Sequence, residues 1–149
     1  MEDFQILPKA PPTITKDFLY KLKECIGKPY KYGCFDETGF DCYTLIYYLY
    51  KCVGIDLPKE NIARYNLKVH SKLIDKHAAL FKEVDFKDRK FLDVLLFTND
   101  KKINAHLGLV IDADSFIHVN RQFSVRIEHF RSNLESLKIR KVYRWNSLN

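Results

Sequence analysis

Among the residues able to act as nucleophile, base or metal ligand, one cysteine and two histidines stand apart by position. The chain has four cysteines, Cys25, Cys34, Cys42 and Cys52. Cys42 follows Asp41 and opens an apolar run, Cys42-Tyr-Thr-Leu-Ile-Tyr-Tyr-Leu-Tyr-Lys-Cys-Val53, that ends at Gly54. Asp41 is a natural N-cap, so the Cys42 sulfur falls in the first turn of a helix. Unpaired N–H groups and the positive end of the helix dipole lower a thiol pKa there, and the same groups can hold an oxyanion. A cysteine at a helix start can equally be a small core residue, so position alone does not decide its role.

His106 and His118 lie twelve residues apart on consecutive expected strands, with a turn near Asp112–Asp114. An odd-length hairpin loop puts both imidazoles on one face. Directly opposed residues have Cβ atoms about 4.5–5.5 Å apart. One histidine can then act as base while the other holds its second ring nitrogen. The bland alternative is two hydrogen-bonded histidines on a half-exposed strand face. Two histidines and a cysteine could also hold zinc, but a fourth ligand and ligand-like spacing are missing, so neither metal nor cofactor is expected.

These side chains need a scaffold. Pro8, Pro11 and Pro12 exclude helix from residues 1–12, which read as an extended arm before a single domain over 13–149. Ile14, Phe18, Leu19, Leu22, Cys25 and Ile26 form one helical stripe that stops at Gly27 and Pro29. Cys25 lies on that stripe and reads as core. A loop from Lys28 to Phe40 leads to the helix opened by Cys42, which is apolar nearly all round and should be the buried central helix, with Cys52 in its apolar end. Residues 59–84 read as helical in one or two pieces, with Leu73, Ile74, His77, Leu80, Phe81 and Val84 on one stripe. The period then changes from 3.6 to 2. Residues 93–99, 105–112, 114–120, 124–130 and 138–145 read as five short strands, and Leu107, Leu109, Ile111, Ile117 and Val119 share the face away from the two histidines. Helices followed by an antiparallel sheet make an α+β domain.

Composition narrows the partners. The 149 residues carry a net charge of +6, and 46% are hydrophobic, enough for one real core. Residues 121–149 hold seven basic side chains against Glu128 and Glu135, so +5 of the excess sits at that end. A basic flank suits an anionic surface or a carboxylate-rich substrate, or it simply blunts a sheet edge. No nucleic-acid motif accompanies it, and no apolar run is long enough to span a bilayer. Met1 to Pro12 has neither a basic n-region nor an apolar h-region, so no secretory signal is expected, and with it no disulfide framework. The spacings contain no CxxC.

Five segments, Gly27-Lys-Pro-Tyr-Lys-Tyr-Gly33, Gly39-Phe-Asp-Cys42, Asp93-Val-Leu-Leu-Phe97, His106-Leu-Gly-Leu-Val110 and Phe116-Ile-His118, come in an order and spacing that resembles the NlpC-type cell-wall cysteine peptidases. The resemblance runs from about Phe18 to Ile127. It implies a papain-like α+β fold, with the nucleophile at the start of a buried helix packed on a mainly antiparallel five-stranded sheet. It implies Cys42 as nucleophile, His106 as general base and His118 as the residue that orients it. Tyr30 and Asp41 match the family's active-site tyrosine and the acidic residue before the nucleophile. The implied activity is hydrolysis of peptidoglycan stem peptides, the usual bond being γ-D-glutamyl–diamino acid.

Several positions depart from the pattern. Tyr43-Thr44 stands where Ser-Gly is usual, so Tyr43 could narrow the groove or offer a stacking face. Cys34 replaces a glycine in the loop near the site, and Leu92 replaces the glycine before Asp93. The stretch 66–90 is longer and more helical than the family's short connection and could wall the cleft. These departures suggest a papain-like amidase or acyltransferase on a substrate outside the wall as one alternative, and the missing export signal suggests a non-catalytic phage tail or structural module as another. With no export signal, the expectation is synthesis in the cytoplasm and delivery to the wall by a virion or secretion machine.

Overall fold

The computed structural model describes residues 14–59, 80–98, 105–133 and 138–146. The arm expected over 1–12, and residues 60–79 of the expected helical stretch, lie outside the described residues.

Helix α1 spans Lys16–Cys25; Thr15 caps it by accepting from the Phe18 N–H at 3.1 Å. Phe18, Leu22 and Cys25, one helical face, are buried. Gly27 ends it at φ +89°, in the left-handed region that favours glycine. Helix α2 spans Cys42–Lys51. Asp41 and Thr44 form a reciprocal capping box, and every residue from Cys42 to Tyr47, with Leu49 and Tyr50, is buried. Thr44 supplies a hydroxyl to the Asp41 N–H at 2.8 Å, a bond the usual glycine could not make.

The strands are β1 (Phe81–Val84), β2 (Val94–Thr98), β3 (Ala105–Val110), β4 (Ser115–Asn120), β5 (Phe123–His129) and β6 (Lys138–Trp145), in the order β1-β6-β2-β3-β4-β5 with antiparallel neighbours. The α+β, papain-like expectation holds, with six strands instead of five. The extra strand corrects the helical expectation for Phe81 and Val84. Their spacing fits a helix stripe, but Phe81–Val84 instead pairs with Val142–Trp145, a partner about sixty residues downstream.

The sheet has two apolar faces. Val94, Leu96, Leu107, Leu109, Ile111, Ile117, Val119 and Val125 pack in one core with α1 and α2. Leu95, Phe97, Val110, Phe116, Phe130 and Val142 form a second core. Burying these side chains, about 1.5–3 kcal/mol each, dominates the stability of the domain. At the β2–β6 junction, Asp93 is fully buried and meets Arg144 in a bidentate pair, at 2.9 Å from Nε and 2.8 Å from Nη2. Leu92, also fully buried, sits at φ +74° where the family pattern has glycine.

Candidate active site

The loop before α2 is held from two sides. Gly27 N–H donates to Val125 O and Val125 N–H to Lys28 O, each at 2.9 Å, which ties the loop to β5. Beyond it, Tyr30 and Phe40 form a parallel bridge. Gly39 is required there by close approach, since a Cβ would stand 2.8 Å from Lys31 Cβ and 3.0 Å from Pro29 O. Asp41 completes the clamp. Its Oδ1 accepts from the Tyr43 and Thr44 N–H groups at 2.9 and 2.8 Å, and its Oδ2 accepts from Gly33 N–H at 2.7 Å. A buried carboxylate with three backbone donors locks the loop to the helix start and thereby places Tyr30 and Cys42 together.

Cys42 is 5% exposed, and the N–H groups of Leu107, Cys42 and Tyr43 point at its sulfur. The sulfur therefore lies beside the peptide joining His106 to Leu107. Its acidity corrects the expectation of a lowered thiol pKa. Burial pushes the thiol up to about 12, helped by the neighbouring Asp41 charge, and the three N–H groups offset only part of this. Desolvation of a thiolate outweighs a helix terminus when no water reaches the sulfur. Burial likewise pushes Cys25 up to about 12, as suits a core thiol. Cys52 packs half-buried against the same core.

His106 and His118 meet: Nε2 of the first lies 2.8 Å from Nδ1 of the second. They share a face but stand diagonally, because Leu109 opposes Ile117 and Val110 opposes Phe116. Aromatic rings enclose them. Phe97 stacks on His106 with centroids 5.6 Å apart, and Phe116 and Phe123 flank His118, each at 4.8 Å. Gly108 leaves room for Phe97, whose Cε2 would be 2.9 Å from a Cβ there. His118 is 1% exposed, and burial lowers its pKa below the ordinary 6.5 despite an opposing pull from Glu128, so it is neutral at neutral pH. Glu128 hydrogen-bonds His118 Nε2 and lies 3.4 Å from Arg126 Nε.

Tyr30 is half-buried; its pKa is raised by burial, against a hydrogen bond from Arg121 that lowers it, and it feels the charges of Asp41 and Cys42. Pro29, Tyr30, Arg121, Gln122, Phe123 and Ser124 line an open cavity of about 600 Å³ beside it. Tyr43, considered as a groove residue, is only 8% exposed, and its hydroxyl donates to Pro58 O, which braces the start of α2. Cys34 donates to Asp36 Oδ1 at 3.1 Å within its own loop.

Sequence reasoning overlooked Arg121 and Glu128. Both lay inside the basic flank, but no local pattern connects them with Tyr30 or His118; only the β4–β5 hairpin does. Among the described residues, no group of three or more His, Cys, Asp or Glu is arranged to hold a metal ion, and no helix is long and apolar enough to cross a membrane.

Similarities to known proteins agree with this architecture. Murein DD-endopeptidase MepH of Escherichia coli (strain K12) is 33% identical over 110 residues, covering 72% of this chain and 36% of that protein. The chain thus spans about a third of the length of this curated relative. The NlpC/p60 domain of peptidoglycan hydrolase SagA superposes with a TM-score of 0.60 at 18% identity, covering 86% of this chain and 96% of that one. RipD from Mycobacterium tuberculosis, described as a non-catalytic NlpC/p60 domain protein adapted to peptidoglycan binding, gives 0.56 at 15% identity, covering 89% and 98%. Residues 27–144 match the NlpC/P60 family, and with the relative at 33% identity this shows that the chain belongs to the NlpC/P60 family.

Proposed function

We propose that this protein is a cysteine peptidase that hydrolyses peptidoglycan stem peptides, with the γ-D-glutamyl–diamino acid bond as its target. The observation that carries this reading is a thiol in the first turn of α2, ringed by three N–H groups and beside the strand that begins an ordered His106–His118 pair. Such a site can run acyl transfer without a metal or cofactor.

With Nε2 of His106 engaged by His118, the nitrogen that takes the Cys42 proton is Nδ1. The thiol proton moves to it as the sulfur attacks the amide carbon, so no resting thiolate is needed. The negative oxygen of the tetrahedral intermediate is held by the Cys42 N–H and the Tyr30 hydroxyl; a single such donor is worth about 10²–10³ in rate. His106 then gives its proton to the leaving amine, which departs and leaves a thioester on Cys42. Water, deprotonated by His106, attacks the thioester and returns thiol and free carboxylic acid. Arg121 stands at the cavity beside Tyr30, where its guanidinium suits a carboxylate of the bound peptide.

A second reading has its own observation. The deep burial of Cys42, which pushes its thiol up to about 12, suits a wall-binding module, as RipD is described to be. Incubation with defined muropeptides, followed by mass spectrometry of the products, separates the two. Release of fragments by the protein but not by Cys42→Ser supports the peptidase. Cleavage that survives Cys42→Ser overturns the assignment of the nucleophile. Co-sedimentation with purified wall and no fragments at all favours the binding module. Products also distinguish cleavage at the γ-D-glutamyl bond from DD-endopeptidase cleavage, the activity for which the relative is named.

A further inference from the structure

We infer that Glu128 is a positioning residue that sets the proton on every nitrogen of the histidine pair and so decides which atom of His106 is the base. Donors and acceptors fix each proton in turn. A carboxylate has lone pairs and no proton to give, so its contact with His118 Nε2 requires a proton on that nitrogen. His118 is buried and neutral, with one ring proton only. Its Nδ1 is then an acceptor, and the 2.8 Å contact with His106 Nε2 requires the proton to sit on His106. A neutral His106 carrying its proton on Nε2 has its lone pair on Nδ1, the nitrogen that must take the Cys42 proton. One carboxylate thus removes the ambiguity of two imidazoles, which could otherwise share a hydrogen bond with either one as donor.

The surroundings suit this job. Glu128 is 17% exposed at the side chain, on the same face of β5 as Arg126, which opposes His118 directly. Arg126 lies over the Phe123 ring at 3.6 Å with its Nε 3.4 Å from Glu128 Oε2, the oxygen that also faces His118, so a fixed cation stands beside the acceptor. Phe97, Phe116 and Phe123 fence the rings and leave them few rotations. When His106 becomes an imidazolium, its Nε2–H stays on His118, and the Glu128 charge stabilises the cation through the His118 ring. No proton need leave the two histidines for this to work. The residue neither touches a reacting atom nor exchanges a proton with one.

The kinetic arm of the test rests on the peptidase reading; the spectroscopic arm does not. Long-range ¹H–¹⁵N correlation spectra of the full chain at neutral pH should show both His106 and His118 protonated on Nε2. A proton on Nδ1 of either ring in the unmodified protein overturns the proposal without any variant. In Glu128→Met, His118 should lose its single tautomer, and kcat should fall about 10- to 100-fold with little change in KM, the size of a lost hydrogen bond to a charged group. Glu128→Gln, whose amide oxygen still accepts, should keep the tautomer and most of the rate. A Glu128→Met protein that folds, as shown by its circular dichroism, and keeps both tautomers also refutes it. If it does not fold, the unmodified spectra decide. Correct tautomers in a protein that cuts no muropeptide would leave this assignment standing and remove the peptidase reading.

Discussion

The resting state of Cys42 can be read by alkylation. Its thiol is pushed from an ordinary 9.0 up to about 12 by burial and the Asp41 charge. At neutral pH this leaves about a thousandfold less thiolate, equivalent to roughly 4 kcal/mol. A more basic thiolate is also the better nucleophile, by a Brønsted slope of about 0.4–0.5, so the net suppression is about 30- to 60-fold before steric shielding is counted. The assay is iodoacetamide labelling over pH 6–10, resolved at Cys42 by mass spectrometry, in native protein and in protein unfolded in urea. The native rate should stay at least that far below the unfolded rate at pH 7 and climb about tenfold per pH unit without a plateau. A native rate above the unfolded one, or a plateau below pH 8, would refute the reasoning, because it would show a thiolate–imidazolium pair already formed. The same shift affects stability. Between pH 9.0 and about 12 the unfolded thiol has lost its proton while the folded one keeps it. The unfolded chain then binds fewer protons, so stability falls as pH rises, by about 1.4 kcal/mol per unit for this group. Cys42→Ala should flatten that slope; Cys25, raised for the same reason, keeps its own share.

Arg144→Leu should cost about 3–5 kcal/mol in urea denaturation, because among the described residues it leaves the fully buried Asp93 carboxylate with the Lys90 N–H as its remaining donor. Adding Asp93→Asn should recover part of that loss, and a single variant within 1 kcal/mol of the parent, on the order-of-magnitude scale of exposed pairs, would contradict the buried-pair account. At Leu92 the question is backbone strain at φ +74°. Both Leu92→Ala and Leu92→Gly lose a buried side chain, about 2–5 kcal/mol. At an ordinary φ, glycine would fall below alanine by a methyl, about 0.8 kcal/mol, and by backbone entropy, about 0.5–1 kcal/mol. Relief of the left-handed conformation returns about 1–2 kcal/mol, so the two variants should unfold at nearly the same urea concentration. A glycine variant clearly less stable than the alanine one would show that Leu92 is unstrained.

What was legible in the sequence was local. The Asp41 cap, the buried helix after it and the shared face of His106 and His118 follow from spacings of three, four and two residues. Geometry of that range is written into neighbouring residues. The order of five motifs was legible too, since it needs no coordinates. Phe81–Val84 departs from the helical expectation because four residues cannot distinguish a helix stripe from a strand whose partner lies in β6. The family pattern puts a groove residue at Tyr43, but only the fold shows that its hydroxyl reaches Pro58 O, fifteen residues downstream.

The sequence by itself determined which residues could do chemistry, the helix that carries the thiol and the parity that brings two imidazoles to one face. Only the tertiary structure decided their state. Burial of Cys42 is a sum over every element packed around α2, and it reverses the direction a helix terminus alone would give. The contacts of Glu128 with His118 and of Arg121 with Tyr30 depend on how a hairpin is registered and folded onto a loop. Periodicity chooses a face, but desolvation and long-range hydrogen bonds exist only once distant segments have packed.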